Sequence, residues 1–552
     1  MLRTTDYKKF TVTIAPEIEV SFEGALSASR ALPGDIVELE NKVVKTILTR
    51  STHGPFVGIL ELASKTRYGI TSRNAFIYQF IPFNEAYPPF FVGSSHKDTT
   101  TNVLAYVEFA HWDSGKCPRG NLIRILGNCG DVKVEEEAIL LHSCSTKWSK
   151  IDVEKLAPPH EVPGTFSTEA DTFHVDPPGC KDIDDAISLI PHSTGGTIIK
   201  IHIADVASWL VKNPELVTKA SEIGQTYYLD GVAVKPMFPA VFSENLFSLI
   251  PGCERKTITL TAFWSPTSKT IHIDQNCWSF EKITVKESYT YDSFYSSKHA
   301  QLMGEICSTL ANKHLTDSHE WIEQLMLMYN IEAAKLLKRH RNGILRRHSG
   351  KDKERYETLE QLGLPAHKLA VHAGEYCLSR ELNTEHLGIS SSVYCHASSP
   401  IRRWVDCINQ LAIHNIYESN RAFMPKSIVF QVTMANMNNK LAKRYERDIR
   451  FMRALLRPSG PMKGIIAEIK PKVKLWVPDW DRLITVRPLY NGRLGDKVTL
   501  NVYADPNRSS WKNRIIVNWK IDVQEIRVER TECLNSQPSS MQPKKGFWSS
   551  FF

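Results

Sequence analysis

Short runs of alternating apolar and polar residues dominate the first 150 positions. TVTIA (11–15), DIVELE (35–40), FVGILEL (56–62) and NVLAYVEFAHW (102–112) are rich in β-branched and aromatic residues, with Gly, Pro and Asn between them. Punctuated short strands of this kind predict small barrels. Strands and turns mix between 160 and 290, where TIIKIHIADVASWL (197–210) predicts a strand running into a helix or loop. The period then changes. Over 319–340, Ile322, Leu325, Met326, Tyr329 and Ala333 share one face of a helix. Residues 366–383, 400–416 and 436–456 are predicted helical as well. The cluster 457-RPSGP-461 ends that character. Five short strands follow within 462–527: KGIIAEI, KVKLWV, RLITVRPL, DKVTLNVYA and NRIIVNW. Five strands in so short a span predict an oligonucleotide-binding barrel. Gly34-Asp35-Ile36-Val37 and Gly495-Asp496-Lys497-Val498 place the same Gly-Asp turn before a strand in both β-rich regions. The tail, 531–552, is polar with aromatics at its end and is predicted disordered.

Composition narrows the class. At 552 residues the chain suggests three or four domains, and 42% hydrophobic with 23% charged residues is ordinary for a soluble globular protein. No apolar run is long enough to span a bilayer, and the first residues lack a signal-peptide core. The expected location is therefore intracellular, most simply the cytoplasm, with no membrane partner. Eleven scattered cysteines without a C-x-x-C pair indicate neither a disulfide framework nor a zinc finger. Cys395-His396 with Cys407 is the nearest approach to a metal set, and free buried thiols are the simpler account. A net charge of +8 is compatible with a polyanionic partner, and equally with a merely basic protein.

The chemistry concentrates in 173-FHVDPPGCKDIDDAISL-189, which holds Asp176, Asp182, Asp184 and Asp185. Carboxylates this close repel unless a cation compensates them. The spacing excludes an EF-hand, whose twelfth position would fall on Ile187 or Ser193. A loop delivering several carboxylates to one point suits Mg²⁺ held together with substrate phosphates, and two such ions can serve phosphodiester hydrolysis. A solvated turn is the plain alternative for any one Asp. A second feature is 398-SSPIRRW-404. Ser399 reads as an N-cap and Pro400 as the first helical residue, which puts Arg402 and Arg403 where a helix dipole disfavours cations unless a phosphate is bound. An ion pair with Asp406 is the alternative.

The pattern D-x5-D-I-D-D-A resembles the signature of the RNB family, the RNase II and RNase R type exoribonucleases. HIADVASWL (202–210), QTYYLDGVAVKPMFPAVFSENLFSLIPGCER (225–255), WIEQLMLMYN (321–330), ILRRH (344–348) and SSPIRRWVDCINQ (398–410) are similar to its further blocks in the same order. The resemblance covers about 10–530 and implies a multidomain α+β fold. An abbreviated cold-shock-like barrel (1–50) and a fuller one (51–150) would precede a central mixed α/β RNB catalytic domain (160–457). An S1-like barrel (461–530) would follow. HWDSGKCPRGNLIRILGNCGD (111–131) is similar to the end of the second barrel in eukaryotic exosome-type relatives. No segment before the first barrel has room for the endonuclease domain that some of them carry.

The implied activity is a processive 3′-to-5′ exoribonuclease that releases nucleoside 5′-monophosphates from single-stranded RNA. It would act as a monomer with Mg²⁺, Mn²⁺ being able to substitute. A catalytically inactive RNB-fold RNA binder is the alternative. Under the resemblance, Asp176, Asp182, Asp184 and Asp185 hold the metal, Asp184 lies closest to the hydrolytic water, and Arg402 holds a phosphate. Tyr228 stacks on a base along the RNA path. Tyr291 and Glu323 lie near the terminal nucleotide, and Glu446 near the RNA 3′ end. Gln324 departs from the family, most of whose members carry a second Glu there, and Gln410 stands where many have His. The interval from Tyr291 to Glu323 is shorter than in RNase II, so the end of the channel is expected to be more open. The basic run 335-KLLKRHRNGILRRHSGK-351 reads either as the wall of a nucleic-acid path or as a solvated helix end.

Overall fold

The structure is a computed structural model that describes residues 1–15, 18–193, 195–418, 427–456, 460–469, 472–486, 492–506 and 514–522. The predicted tail and residues 457–459 of the breaker cluster lie outside them. The chain forms two compact units, one of Met1–Glu135, Lys353–Ala370 and Arg450 onward, the other of Glu136–Asp352 and Val371–Ile449.

The first unit is mostly small β-structures. The strands Leu2–Thr4, Lys9–Ala15 and Ile18–Glu23 make an antiparallel sheet, and Ile36–Glu40 pairs with Val43–Thr49. Both bury residues in a core around Phe10, Leu32 and Val44. Five strands between Phe56 and Asn128 then close a barrel around Leu60, Phe80, Phe90 and Val107. The β-rich reading of this region missed the helix Val132–Ser143.

All five predicted C-terminal strands form, in one antiparallel sheet from Arg482–Val486 across Met462–Glu468 to Ile515–Ile521. Lys353–Ala370 packs Leu359, Leu364 and Ala366 against Trp476 of this sheet. The two Gly-Asp turns share one construction. Gly34 and Gly495 take positive φ of 96° and 86°. Asp35 and Asp496 then accept the backbone N–H three residues upstream, at 2.8 Å each.

The second unit is built on an eight-stranded mixed sheet. Its order is Phe166–Thr168, Trp278–Thr284, Glu254–Ser265, Gly196–Ala204, Asp185–His192, Thr172–Asp176, Glu287–Thr290, with Thr270–His272 pairing onto Glu254–Ser265. Strand alternation sends Ile199, Ile201, Ile203, Ile258 and Leu260 to one face, where they join the core of the helix Ser318–Arg339. The other face buries polar groups that satisfy each other. His202 bridges Ser188 Oγ at 3.0 Å and Thr259 Oγ1 at 2.9 Å, and Lys200 pairs with Glu281 at 2.9 Å.

The helix predicted over 366–383 is not formed as such. Only Ala366–Leu369 is helical, and Glu375–Leu378 is a strand paired with Ile344–Arg347. The Asn436 side chain holds both the N–H and the C=O of Tyr376, at 2.8 and 2.9 Å. Backbone pairing across the fold overrides local propensity here. Together these elements make a mixed α/β multidomain fold with small all-β parts, as predicted.

Candidate active site

The acidic loop connects Thr172–Asp176, which ends on Asp176, to Asp185–His192, which begins on Asp185. Pro177-Pro178-Gly179-Cys180 turns the chain sharply. Gly179 takes φ +79°, and the Cys180 N–H donates to Pro177 O at 3.1 Å, as expected of a proline–glycine turn. The FSLIPGCER block braces the far side of the loop. Ser248 Oγ accepts from Ile183 N–H at 2.9 Å and donates to Lys181 O at 2.7 Å. Leu249 N–H donates to Ile183 O at 3.0 Å, and Arg255 Nε to Ser248 O at 3.1 Å. Ile183 is buried by this brace. Asp182 and Asp184, on either side of it in sequence, are thereby fixed in place.

Each aspartate has a distinct setting. Asp176 Oδ2 lies 2.8 Å from His174 Nδ1, two residues back on the same strand face. Asp182 accepts from the Tyr228 hydroxyl and the Cys180 thiol, both at 3.4 Å. Asp184 is 3% exposed, and accepts from Ile401 N–H on Oδ1 and from Arg402 Nε on Oδ2, both at 2.9 Å. Burial pushes its carboxyl up to about 7, against the pull of Arg402 and the Ile401 amide. Asp185 is raised well above the usual carboxylate range, first by burial and then by the charges of Asp176 and Asp184.

Arg402 reaches the site by a route the sequence did not suggest. The helix begins at Trp404, and Pro400–Arg403 form a turn, so Ser399 is not its N-cap. The reason lies in the segment facing this turn. Thr226 N–H donates to Arg402 O and Trp404 N–H to Gly224 O, at 2.9 Å each, and Gln225 bridges Arg403. These bonds tie the turn to that segment, while Arg402 N–H and Arg403 N–H both donate back to Ser399 O, at 3.3 and 3.0 Å. Ser399 Oγ accepts from Arg402 Nη2 at 3.0 Å instead. The two arginines also part company. Arg402 goes to Asp184, while Arg403 goes to the buried Asp406 at 2.9 Å, the alternative that spacing offered. The Arg402 side chain is still 42% exposed, so part of the guanidinium faces outward.

Tyr228 and Tyr291 also belong to this cluster. Burial first, then Asp182 and Asp184, hold the Tyr228 hydroxyl above its ordinary range against Arg402, so it stays a protonated donor to Asp182. Tyr291 is raised by burial and by Asp185 and Asp176, and its ring stacks on His319. Among the described residues, the hydrogen-bond and stacking partners named for the aspartates, Arg402 and the two tyrosines are others than Glu323 and Glu446. Glu323 is half-buried near the start of its helix and is raised by burial and by Glu320. Glu446 is half-buried on the helix Ile428–Leu456.

The basic run 335–351 is divided. Lys338 binds Glu381 O and Thr384, Arg347 pairs with Glu375 and Glu381, and Arg346 is buried over Tyr376, while Lys335, Arg339, His340, Arg341 and Lys351 are exposed.

Sequence reasoning missed His174, the Ser248 brace and His319. Of these, only His174 had a local signal, its two-residue spacing from Asp176. Gln410, left without a role, carries one here. It accepts from Ala207 N–H at 3.2 Å and donates to Ala204 O at 2.8 Å, and the Ala204 N–H donates to Asp184 O at 2.9 Å.

The donor chemistry fits a hard divalent cation. It is an all-oxygen set, Asp185 makes no side-chain hydrogen bond among the described residues, and like charges raise its carboxyl. Among the described residues, one set of three ligand-type side chains has donor atoms within 4.8 Å of one another, and it lies elsewhere: Asp171, Glu287 and His299. Lys298 already pairs with both of those carboxylates, so that set carries its own cation. Cys395 and Cys407 donate to Asn330 O and Pro400 O, and His396 bonds Tyr376, so these three form no metal set.

Known proteins resemble this chain in sequence and in fold. The RNB domain model matches residues 167–297 and 290–419, and a Dis3-like cold-shock domain 2 model matches 77–144. The human exosome complex exonuclease RRP44 is 22% identical over 450 residues, covering 64% of this chain and 46% of that protein. The chain thus matches about half the length of that relative. The structure of Mycoplasma genitalium RNase R bound to ribose-methylated single-stranded RNA superposes with a TM-score of 0.71 at 17% identity, covering 94% of this chain and 99% of that one. Yeast Ssd1, described as a pseudonuclease, superposes at 0.63 with 13% identity, covering 94% of this chain and 81% of its own. The matched span, 167–419, carries the acidic loop, its Ser248 brace and the Arg402 turn, and this part of the chain is an RNB domain.

Proposed function

We propose that the protein is a divalent-metal-dependent exoribonuclease that hydrolyses single-stranded RNA from the 3′ end, releasing nucleoside 5′-monophosphates processively. The observation that supports this most is the meeting of four aspartates with Arg402 beside Tyr228 and Tyr291. A fold that only grips RNA has no need to hold carboxylates against their mutual repulsion.

Asp176, Asp182 and Asp185 would hold Mg²⁺, or Mn²⁺ in its place, with Asp184 beside them. The metal would supply an activated water and charge stabilisation at phosphorus. In the hydrolysis, water oxygen bonds to phosphorus, the P–O3′ bond breaks, and the released 3′ oxygen takes a proton. The outward part of the Arg402 guanidinium suits a phosphate oxygen, while Asp184 fixes its Nε edge. Asp184 thus orients the arginine, and would lie beside the metal-holding carboxylates. Tyr228, tied to Asp182, is placed to orient that carboxylate, a different use from the base stacking expected of it. We assign Tyr291 and Glu323 to the terminal nucleotide and Glu446 to the strand behind it.

The likeness to Ssd1 favours one other reading, an RNA binder without hydrolysis. A labelled oligoribonucleotide incubated with the purified protein, with Mg²⁺ or with EDTA, separates the two. The proposal expects stepwise shortening from the 3′ end that EDTA stops and that the DNA version does not undergo. RNA that is bound yet uncut under every metal condition contradicts it.

A further inference from the structure

The strands Thr172–Asp176 and Glu287–Thr290 run parallel, with Phe173 opposite Glu287 and Asp176 opposite Thr290. Their far ends carry Asp176 and lead into Tyr291. At their starts stand Asp171, Glu287 and His299, whose donor atoms lie within 4.8 Å of one another. Asp171 immediately precedes the first strand, Glu287 opens the second, and His299 precedes the helix Ala300–Ala311. Strand pairing therefore brings this set together.

His299 is the member that the ion pairs of this set leave unexplained. Its side chain is 9% exposed, and its ring lies flat on Phe173 with centroids 4.2 Å apart and planes inclined by 17°. Nε2 lies 3.3 Å from Glu287 Oε2, yet among the described residues it has no aligned hydrogen-bond partner. A buried polar atom left in that state costs free energy. Here the core fixes it facing carboxylates. Lys298 is the opposite case. Its side chain is 56% exposed, and its ammonium, on a flexible stem, pairs with Asp171 and, at 3.1 Å, with Glu287.

A metal ion would use all three side chains. Two carboxylates and one imidazole suit zinc, whereas magnesium and calcium take oxygen ligands. Donors that share one zinc at its usual bond lengths stand about 3.5 Å apart, a closure within reach of side-chain torsions. Asp171 and Glu287 are partly exposed, which leaves room for water to complete the coordination. The Tyr289 hydroxyl donates to Glu287 Oε2 at 2.7 Å, the kind of outer bond that orients a ligating carboxylate.

We propose that Asp171, Glu287 and His299 form a zinc site, in which Zn²⁺ takes the place of the Lys298 ammonium and clasps the starts of both strands to the head of the helix Ala300–Ala311. The site is separate from the acidic loop, has a different donor set and does not depend on the RNA reading. Its role is structural, since an ion that binds only the folded chain stabilises it by mass action.

The test measures Zn²⁺ affinity by competition with a chromophoric chelator, in excess Mg²⁺, for the native chain and two variants. His299→Phe keeps a ring on Phe173 and removes the nitrogen. Loss of an outer partner of a metal site costs about 10–100-fold in affinity, so loss of this ligand should weaken zinc binding by more than about a hundredfold. Lys298→Met removes the competing ammonium and should tighten binding several-fold. Zn²⁺ should raise the thermal midpoint of the native chain and of Lys298→Met, and leave that of His299→Phe unmoved. X-ray absorption of one equivalent of Zn²⁺ on the native chain should show a single imidazole among oxygens, a readout that stands even where His299→Phe fails to fold. Unchanged affinity in His299→Phe, weaker binding in Lys298→Met, an all-oxygen shell, or no zinc held by the native chain against the chelator overturns the proposal. None of these results bears on hydrolysis at the acidic loop.

Discussion

Asp184 and Arg402 are the residue pair on which the chemistry turns. Asp184→Asn keeps the shape and can keep the acceptor for Ile401 N–H. Its amide, however, must set a donor or a neutral oxygen against Arg402 Nε. Loss of a buried, charge-bearing group at a phosphoryl site costs about 10²–10³ in rate. Steady-state hydrolysis by D184N should fall at least that far, while equilibrium RNA binding stays within a few-fold of the native value. Retained turnover would remove Asp184 from the chemistry. Arg402→Lys separates charge from geometry. A single ammonium cannot reach Asp184 and a phosphate as the forked guanidinium does. The expected result is a marked fall in kcat with a soluble, folded protein, and unchanged kcat would remove Arg402 from the phosphate site. At this scale the sequence was most informative about carboxylates, because four aspartates in one loop are unusual in themselves. It offered Asp406 as a partner but could not show that Arg403 takes it while the adjacent Arg402 goes to Asp184, since that depends on how the turn is tied to a distant segment.

That turn belongs to the scale of elements, where long-range backbone bonds decide. Gly224 ends the helix Pro214–Ile223 with φ +78°, and a Cβ there would lie 1.9 Å from Asn438 Nδ2. Its carbonyl also accepts the Trp404 amide. Gly224→Ala combines backbone strain with overpacking and should destabilise by about 2–4 kcal/mol. Because it disturbs the Arg402 turn, activity should fall further than denaturant midpoints alone would imply. A variant of native stability and activity would contradict this coupling.

His414 supplies a pH test away from the chemistry. Its ring is fully buried between Asp205 at 2.8 Å and Glu418 at 3.2 Å. Burial opposes its charge, but the two carboxylates outweigh burial and raise it to about 9. A folded value above the unfolded 6.5 means that the contribution is complete below that pH and is lost as pH rises through 9. Urea unfolding of the native chain should lose about 3 kcal/mol over that window, and His414→Gln should flatten the profile. An unchanged profile in the variant would show that the pair does not titrate in this way. Strand periodicity and the 319–340 helix were legible because burial on one face writes a period into the sequence. The start of the helix at Trp404 and the strand at Glu375–Leu378 were not, because distant partners claim those backbone groups.

Across the molecule, six ordered motifs carried far more than composition, and a net charge of +8 decided nothing alone. What they could not convey was which parts pack together. Lys353–Ala370, interior to the catalytic span by sequence, shares its core with the C-terminal strands. In the same unit Arg514 and Glu135 form a wholly buried ion pair at 2.7 Å, although they are 379 residues apart. Removing one member leaves a buried charge behind, so Arg514→Met should cost about 3–5 kcal/mol by thermal unfolding, and adding Glu135→Met should recover much of it. An unaltered midpoint in the single variant would show that the pair is not held in solution.

The account depends above all on a divalent cation bound by the acidic loop against an RNA phosphate. Anomalous scattering from crystals of the D184N chain grown with Mn²⁺ and a single-stranded oligoribonucleotide measures this directly. The account predicts a metal peak among Asp176, Asp182 and Asp185 with the RNA 3′ end beside it. RNA seated in the site with no metal peak at those carboxylates would contradict it.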